Sequence, residues 1–131
     1  MKGLIIKQPW IDKILTGSKT WELRGRRTRH RGQVGLIESG SGTVVGTTRL
    51  VDVVGPLSPR QLLGSRNKHR VPASSLREGG RYRKTFAWVL EHSRRLRKPV
   101  PYAHPAGAVI WVNLAAGVAR KVRDANGRAP R

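Results

Sequence analysis

Lys19, Glu22 and Arg24 stand close together in residues 17–24, G-S-K-T-W-E-L-R, a Gly-x-Lys-x-x-Glu-x-Arg pattern. The chain has 27 lysines and arginines against seven acids, so a carboxylate set between two cations is a scarce one. Two adjacent cations favour the charged, oriented form of a carboxylate. Such a group can act as a general base, or can hold the lysine ready for a carbonyl or phosphate oxygen. A purely structural ion pair fits the same spacing. Strand alternation over residues 20–24 sets Trp21 and Leu23 on one face and Thr20, Glu22 and Arg24 on the other. Lys19 then faces away from its partners, and the three converge only if Lys19 lies in a turn before the strand or at a bulge.

The elements that must position these residues follow from the flanking pattern. Residues 3–7 read as a short buried strand. Pro9 suits a helix start, Trp10, Ile11, Ile14 and Leu15 share one helical face, and Gly17 is a natural stop. Residues 24–31, R-G-R-R-T-R-H-R, form a basic loop. Strands are expected over 32–38, 43–54, 85–90 and 108–114, with 91–101 either continuing or ending the third of these. Gly46 inside the long strand suggests a bulge or a close backbone approach. Ser58 and Pro59 read as the cap and first position of a helical turn. Residues 64–81 read as irregular. Residues 119–131 read as a mobile basic tail, which bounds the domain at 1–118. Trp21, Trp88 and Trp111 lie in apolar strands and are expected in the core. The fold class is therefore mainly β with short helices (α+β), a small β-barrel rather than an alternating βαβ fold.

At 131 residues the chain fits one domain with a modest core. Its net charge of +20 favours a polyanionic partner, and the cations are mostly arginine, whose planar fork matches phosphate. RNA is the expected partner, with DNA or a ribosomal or other nucleoprotein assembly as alternatives. No long basic amphipathic helix is evident, which argues against a membrane surface. The absence of cysteine excludes disulfides, zinc–thiolate sites and a cysteine nucleophile, and fits a cytoplasmic location. His30, His69, His92 and His104 lack ligand spacing, so neither a metal nor a cofactor is expected. The apolar run at 4–6 is too short for a secretory leader.

Gln8-Pro9-Trp10, then the 17–24 segment, then His30-Arg31-Gly32 before an apolar strand, occur together in this order. The combination resembles the ASCH domain (activating signal cointegrator homology), a family of PUA-like β-barrels. The motifs lie in roughly the first 40 residues. The resemblance implies a barrel with a cleft lined by residues 17–24 and a role in binding RNA. Some members are similar in fold yet act as ribonucleases; here such a reaction would need no metal, with Lys19, Glu22 and Arg24 stabilising the phosphorane and moving the proton, assisted by Tyr102 or a histidine. One subfamily is an amidohydrolase of modified nucleosides such as acetylcytidine, whose threonine nucleophile stands three residues after the motif lysine. That position here is Glu22, and Thr20 is out of register.

The resemblance sets Gln8 and Trp10 at the cleft border. Trp10 suits stacking on a base or packing beside Ile14. Arg26, Arg27, Arg29, His30 and Arg31, with Arg94 and Arg95, are candidates for nucleic-acid backbone contacts. Ser39, in the glycine turn S-G-S-G, is a candidate phosphate contact, a plain hairpin turn being the other reading.

Overall fold

The computed structural model describes residues 1–79 and 82–127. Its strands are β1 (Lys2–Ile6), β2 (Trp21–Arg24), β3 (Gly32–Glu38), β4 (Thr43–Val54), β5 (Phe86–Pro101) and β6 (Trp111–Asn113). Its helices are α1 (Trp10–Leu15), α2 (Pro59–Gly64), α3 (Arg66–His69) and α4 (Ala116–Gly127), with a 3-10 segment over Ala73–Gly79. The strands form one sheet in the order β2-β5-β4-β3-β1-β6, in which only β1 and β3 pair in parallel.

The sheet is rolled. Arg24 on β2 donates from Nη2 to the Ile5 carbonyl on β1, at 2.9 Å. A flat sheet would hold these strands about 19 Å apart at about 4.8 Å per step. Trp88 on β5 stacks on Trp111 on β6, with centroids 5.6 Å apart. The curl arises in the long β4–β5 pair, whose register shifts between Val44 and Gly46, between Thr47 and Arg49, and between Leu50 and Asp52. Each irregularity bends the ribbon and raises its twist. The result is one curled sheet, mainly strand with short helices.

Two apolar clusters lie on the two faces of the sheet. Leu4, Ile6, Val34, Leu36, Leu50, Phe86 and Leu90 fill the concave side, closed by Ile11, Ile14 and Leu15 of α1. Ile5, Ile37, Val44, Leu96 and Val100 lie on the other, beneath Val122 of α4. Alternate residues of β1 therefore enter different clusters, which is why its sequence is an unbroken apolar run.

Four stretches differ from expectation. The first is residues 64–81, which read as irregular but hold α3 and the 3-10 segment, closed by backbone hydrogen bonds that polar composition does not reveal. The chain does not leave the fold at 119. Val118, Ala119, Val122 and Ala125 recur at helical spacing and seat α4 on the sheet, so the packed domain runs on to 127. Residues 128–131, the rest of the expected tail, lie outside the described residues. The last strand is only Trp111–Asn113, because Ala108, Val109 and Ile110 turn to line a cleft. Trp21 joins neither core cluster: it is half-buried, with the Lys68 ammonium 4.7 Å above its ring. No helix among the described residues is long and apolar enough to cross a membrane.

Candidate functional site

The route to the site begins where α1 stops. Gly17 has φ of +84°, a conformation that costs glycine little, and it turns the chain sharply back. The Lys19 amide then donates to the Lys13 carbonyl at 2.9 Å, which closes the turn. Lys19 is in this turn and not in β2, so strand alternation does not govern it. Glu22 and Arg24, two apart on β2, face the same way.

The three side chains converge. The Lys19 ammonium lies 3.5 Å from Glu22 Oε1. Arg24 donates from Nε to the other carboxylate oxygen at 3.0 Å, and its Nη2 lies 2.9 Å from the same oxygen as an ion pair. Lys19 also donates to the His69 carbonyl at 2.6 Å and lies 5.1 Å from the Trp10 ring centroid. Lys19 is only 2% exposed and Glu22 7%. Burial lowers the Lys19 ammonium from the ordinary lysine value, and the Glu22 carboxylate opposes that shift. The Arg24 guanidinium lies 5.6 Å from the Trp88 ring centroid, and Trp88 Nε1 donates to the Arg26 carbonyl at 2.9 Å.

This cluster lines a cleft of about 1060 Å³. Its apolar and aromatic walls include Trp10, Leu76, Trp88, Tyr102 and Ile110, and the exposed cations Lys7, Arg26, Arg83 and Lys84 also border it. Ser39 lies on the lining beside Gly40. Tyr102 adds a polar pair: its hydroxyl donates to His104 Nδ1 at 2.7 Å, while His104 Nε2 donates to the Ala108 carbonyl at 2.9 Å. Burial raises the Tyr102 phenol from its ordinary value. Among the described residues no group of three His, Cys, Asp or Glu is arranged to hold a metal ion.

Of the residues singled out in the sequence, the cleft gathers Lys19, Glu22, Arg24, Trp10, Arg26, Ser39, Tyr102 and His104. Trp10 packs against the core and also lines the cleft. The others lie off the lining. Gln8 donates to Glu38 Oε1 at 3.1 Å. Arg27 donates to the Gly55 carbonyl at 2.7 Å, with its guanidinium 5.3 Å from the Phe86 ring centroid. Arg29 and Arg94 are exposed. Arg31 donates to the Thr28 and His30 carbonyls. Arg95 pairs with Asp12 at 3.1 Å. His30 meets Trp111 edge-on at 5.5 Å, and burial lowers its pKa from the ordinary histidine value.

Residues 81–84 read as one basic run among several, and nothing in the sequence tied Arg83 and Lys84 to the cleft. Thr85 was missed entirely. It is 4% exposed, lines the cleft, and its hydroxyl has no hydrogen-bond partner among the described residues. An unpaired buried hydroxyl is destabilising. Thr85→Val, which keeps the shape and removes the hydroxyl, is expected to leave stability unchanged or raise it by up to about 1 kcal/mol. A shift of the urea midpoint with an unchanged slope reads this directly.

The ASCH domain family profile matches residues 4–100, a stretch that includes β1 to β4, the lysine turn and most of β5. The chain belongs to the ASCH domain family. Among solved structures, the ASCH protein of Zymomonas mobilis superposes with a TM-score of 0.71 at 16% identity, covering 94% of this chain and 93% of that one. A serine-to-alanine variant of the same protein gives 0.71 at 17%, covering 94% of each chain. At such identity the likeness is one of fold. No match is found among the curated proteins. The ASCH fold thus accounts for the rolled sheet, and the cleft of this member is described by its own residues.

Proposed function

We propose that this ASCH domain binds single-stranded RNA, holding one unstacked nucleotide in the cleft while the surrounding cations take the phosphates. The observation that carries this reading is the placement of the buried Lys19–Glu22–Arg24 cluster on an aromatic-lined cleft bordered by Lys7, Arg26, Arg83 and Lys84. A flat base suits the walls, the triad supplies fixed donors, and single strands present bases free to enter. The net charge of +20 supports a polyanion as the partner.

The state of the triad favours holding over cutting. Both Glu22 oxygens are already paired with cations, so the carboxylate is an orienting group more than a free base. The amidohydrolase reading is weaker still. No threonine stands at the position three after Lys19, and Thr20 is exposed and absent from the cleft lining. A ribonuclease reading draws on one observation, the Tyr102–His104 pair on the cleft wall, which would have to move the proton while Lys19 or Arg24 stabilised the phosphorane.

The test is titration of labelled single-stranded RNA, with single-stranded DNA and duplex RNA as competitors. For about five neutralised phosphates, affinity should fall on the order of a hundredfold between about 50 and 200 mM salt. Lys19→Met should weaken binding about tenfold or more at every salt concentration with the slope kept, since Lys19 is buried and off the phosphate path. A flat salt response, or equal binding by Lys19→Met, overturns the reading. Cleavage without added metal that Lys19→Met abolishes would move it to the nuclease.

A further inference from the structure

We propose that His69 is a positioning residue for Lys19, and that the hydrogen bonds of its neutral ring make ligand binding at the cleft fall in mild acid. The inference rests on the binding role proposed for that cleft.

Residues 18–20 are gripped by the end of α3 at consecutive positions. The Thr20 amide donates to the Lys68 carbonyl at 2.9 Å, Lys19 Nζ to the His69 carbonyl at 2.6 Å, and Arg70 Nε to the Ser18 carbonyl at 2.7 Å. What holds this grip in place is the His69 ring, which is fully buried. The Val71 amide donates to Nδ1 at 2.9 Å. Nδ1 must therefore be unprotonated, so the proton is on Nε2, which donates to the Leu62 carbonyl at 2.7 Å. One ring thus ties α2 to the strand-like exit of α3, and its own carbonyl carries the lysine. Arg70, with φ of +65°, turns the chain between His69 and Val71.

This arrangement admits one protonation state. A proton on Nδ1 would set two donors face to face across the present Val71 contact. The charged groups about the ring disfavour it as well. Lys19 approaches from the lysine turn and Arg66 lies on α3, both cations, while α2 contributes only the Leu62 carbonyl. The neighbours Lys68 and Arg70 are also cationic and reach away, to the Trp21 ring and the Ser18 carbonyl. Glu22 meets His69 only through Lys19. Burial, chiefly, holds the imidazole below the ordinary histidine pKa. Because the folded value is depressed, the contribution to stability is present above about 6.5 and is lost as pH falls from there through the folded value. Protonation breaks the Val71 contact, frees the end of α3 and removes the carbonyl that anchors Lys19.

The sign of the effect makes it testable. Protonating exposed histidines adds positive charge and should strengthen RNA binding in acid. The His69 arrangement predicts the reverse. Binding of a labelled single-stranded RNA should be measured at constant ionic strength from about pH 7.5 to about pH 5. Wild type is expected to lose affinity progressively as pH falls below about 6.5. His69→Gln can donate to Leu62 and accept from Val71 but cannot titrate, so it should bind equally at both ends or slightly better in acid. In parallel, the Val71 and Thr20 amides of ligand-free wild type should lose hydrogen-exchange protection over the same range. This second measurement needs neither variant nor RNA. Amides that stay protected, wild-type affinity that rises in acid, or a Gln variant that falls like wild type each overturn the proposal. Amides that titrate in a protein that binds no RNA at any pH would uphold the role of His69 and overturn the RNA reading instead.

Discussion

Glu22→Ala is expected to destabilise the domain by about 3–5 kcal/mol, the cost of leaving buried charge uncompensated. Glu22 is the carboxylate that both Lys19 and Arg24 address, and the Lys19 side chain is 1% exposed. Without it, a buried ammonium faces a guanidinium with no anion between them. Stabilities of natural domains run about 5–15 kcal/mol, so this one change would remove a large part of the total. Glu22→Gln keeps the shape and an acceptor for Arg24 but not the charge, and should fall between alanine and wild type. Lys19→Met should cost least of the three, because Glu22 retains the Arg24 guanidinium as its partner. Chemical denaturation of the four proteins gives the order directly. A structural ion pair would give binding losses in that same order. The cleft reading reverses it: Lys19→Met should be the weakest RNA binder among the variants that remain folded. Parallel orders in stability and binding would reduce the triad to a scaffold.

The triad was legible in the sequence because its members are local, and the open question there, whether Lys19 meets the other two, turned on a single turn. Gly17 and the Lys19 amide bond to Lys13 resolve it. The strand over Gly32–Glu38 and the long strand Thr43–Val54 were legible from alternation and glycine punctuation. So was the Ser58 cap of α2, where the Gln61 side chain returns the bond and completes a capping box. The other half of the lysine site was not legible. His69 lies fifty residues beyond Lys19 in the chain, within a stretch whose polar composition resembled loop. Its role rests on backbone carbonyls and one ring tautomer, which leave no compositional trace. The last helix was obscured in a different way. Ala119, Val122 and Ala125 are small, and the cations among them gave the segment the look of a tail. The apolar stripe shows only once a sheet face is present to receive it. A basic amphipathic helix was therefore present after all, but its apolar side is spent on the sheet.

Gly46 lies at a register shift of the β4–β5 ribbon and against Leu15, the last residue of α1, which makes Gly46→Ala the most damaging small change expected outside the triad. A Cβ on Gly46 would collide with Leu15 Cδ2 and stand 2.6 Å from the Arg94 carbonyl oxygen. The leucine tip can swing aside, but the carbonyl belongs to β5 at a register shift and cannot move without its strand. Overpacking against fixed backbone costs about 2–3 kcal/mol, a fall in Tm of roughly 10 °C for a domain of this size. Gly64→Ala is the control: it meets no atom within 4 Å and lies at the end of α2, so it should be neutral or slightly stabilising. The damage should also reach the cleft. Leu15 is the last residue of α1, two before Gly17, and the Lys19 turn is tied back to Lys13 of the same helix. Displacing Leu15 tilts the helix end from which Lys19 is hung. Gly46→Ala should therefore weaken RNA binding more than its loss of folded protein explains, measured below the lowered Tm. If binding falls only in proportion to the unfolded fraction, the bulge shapes the sheet alone and has no hold on the lysine.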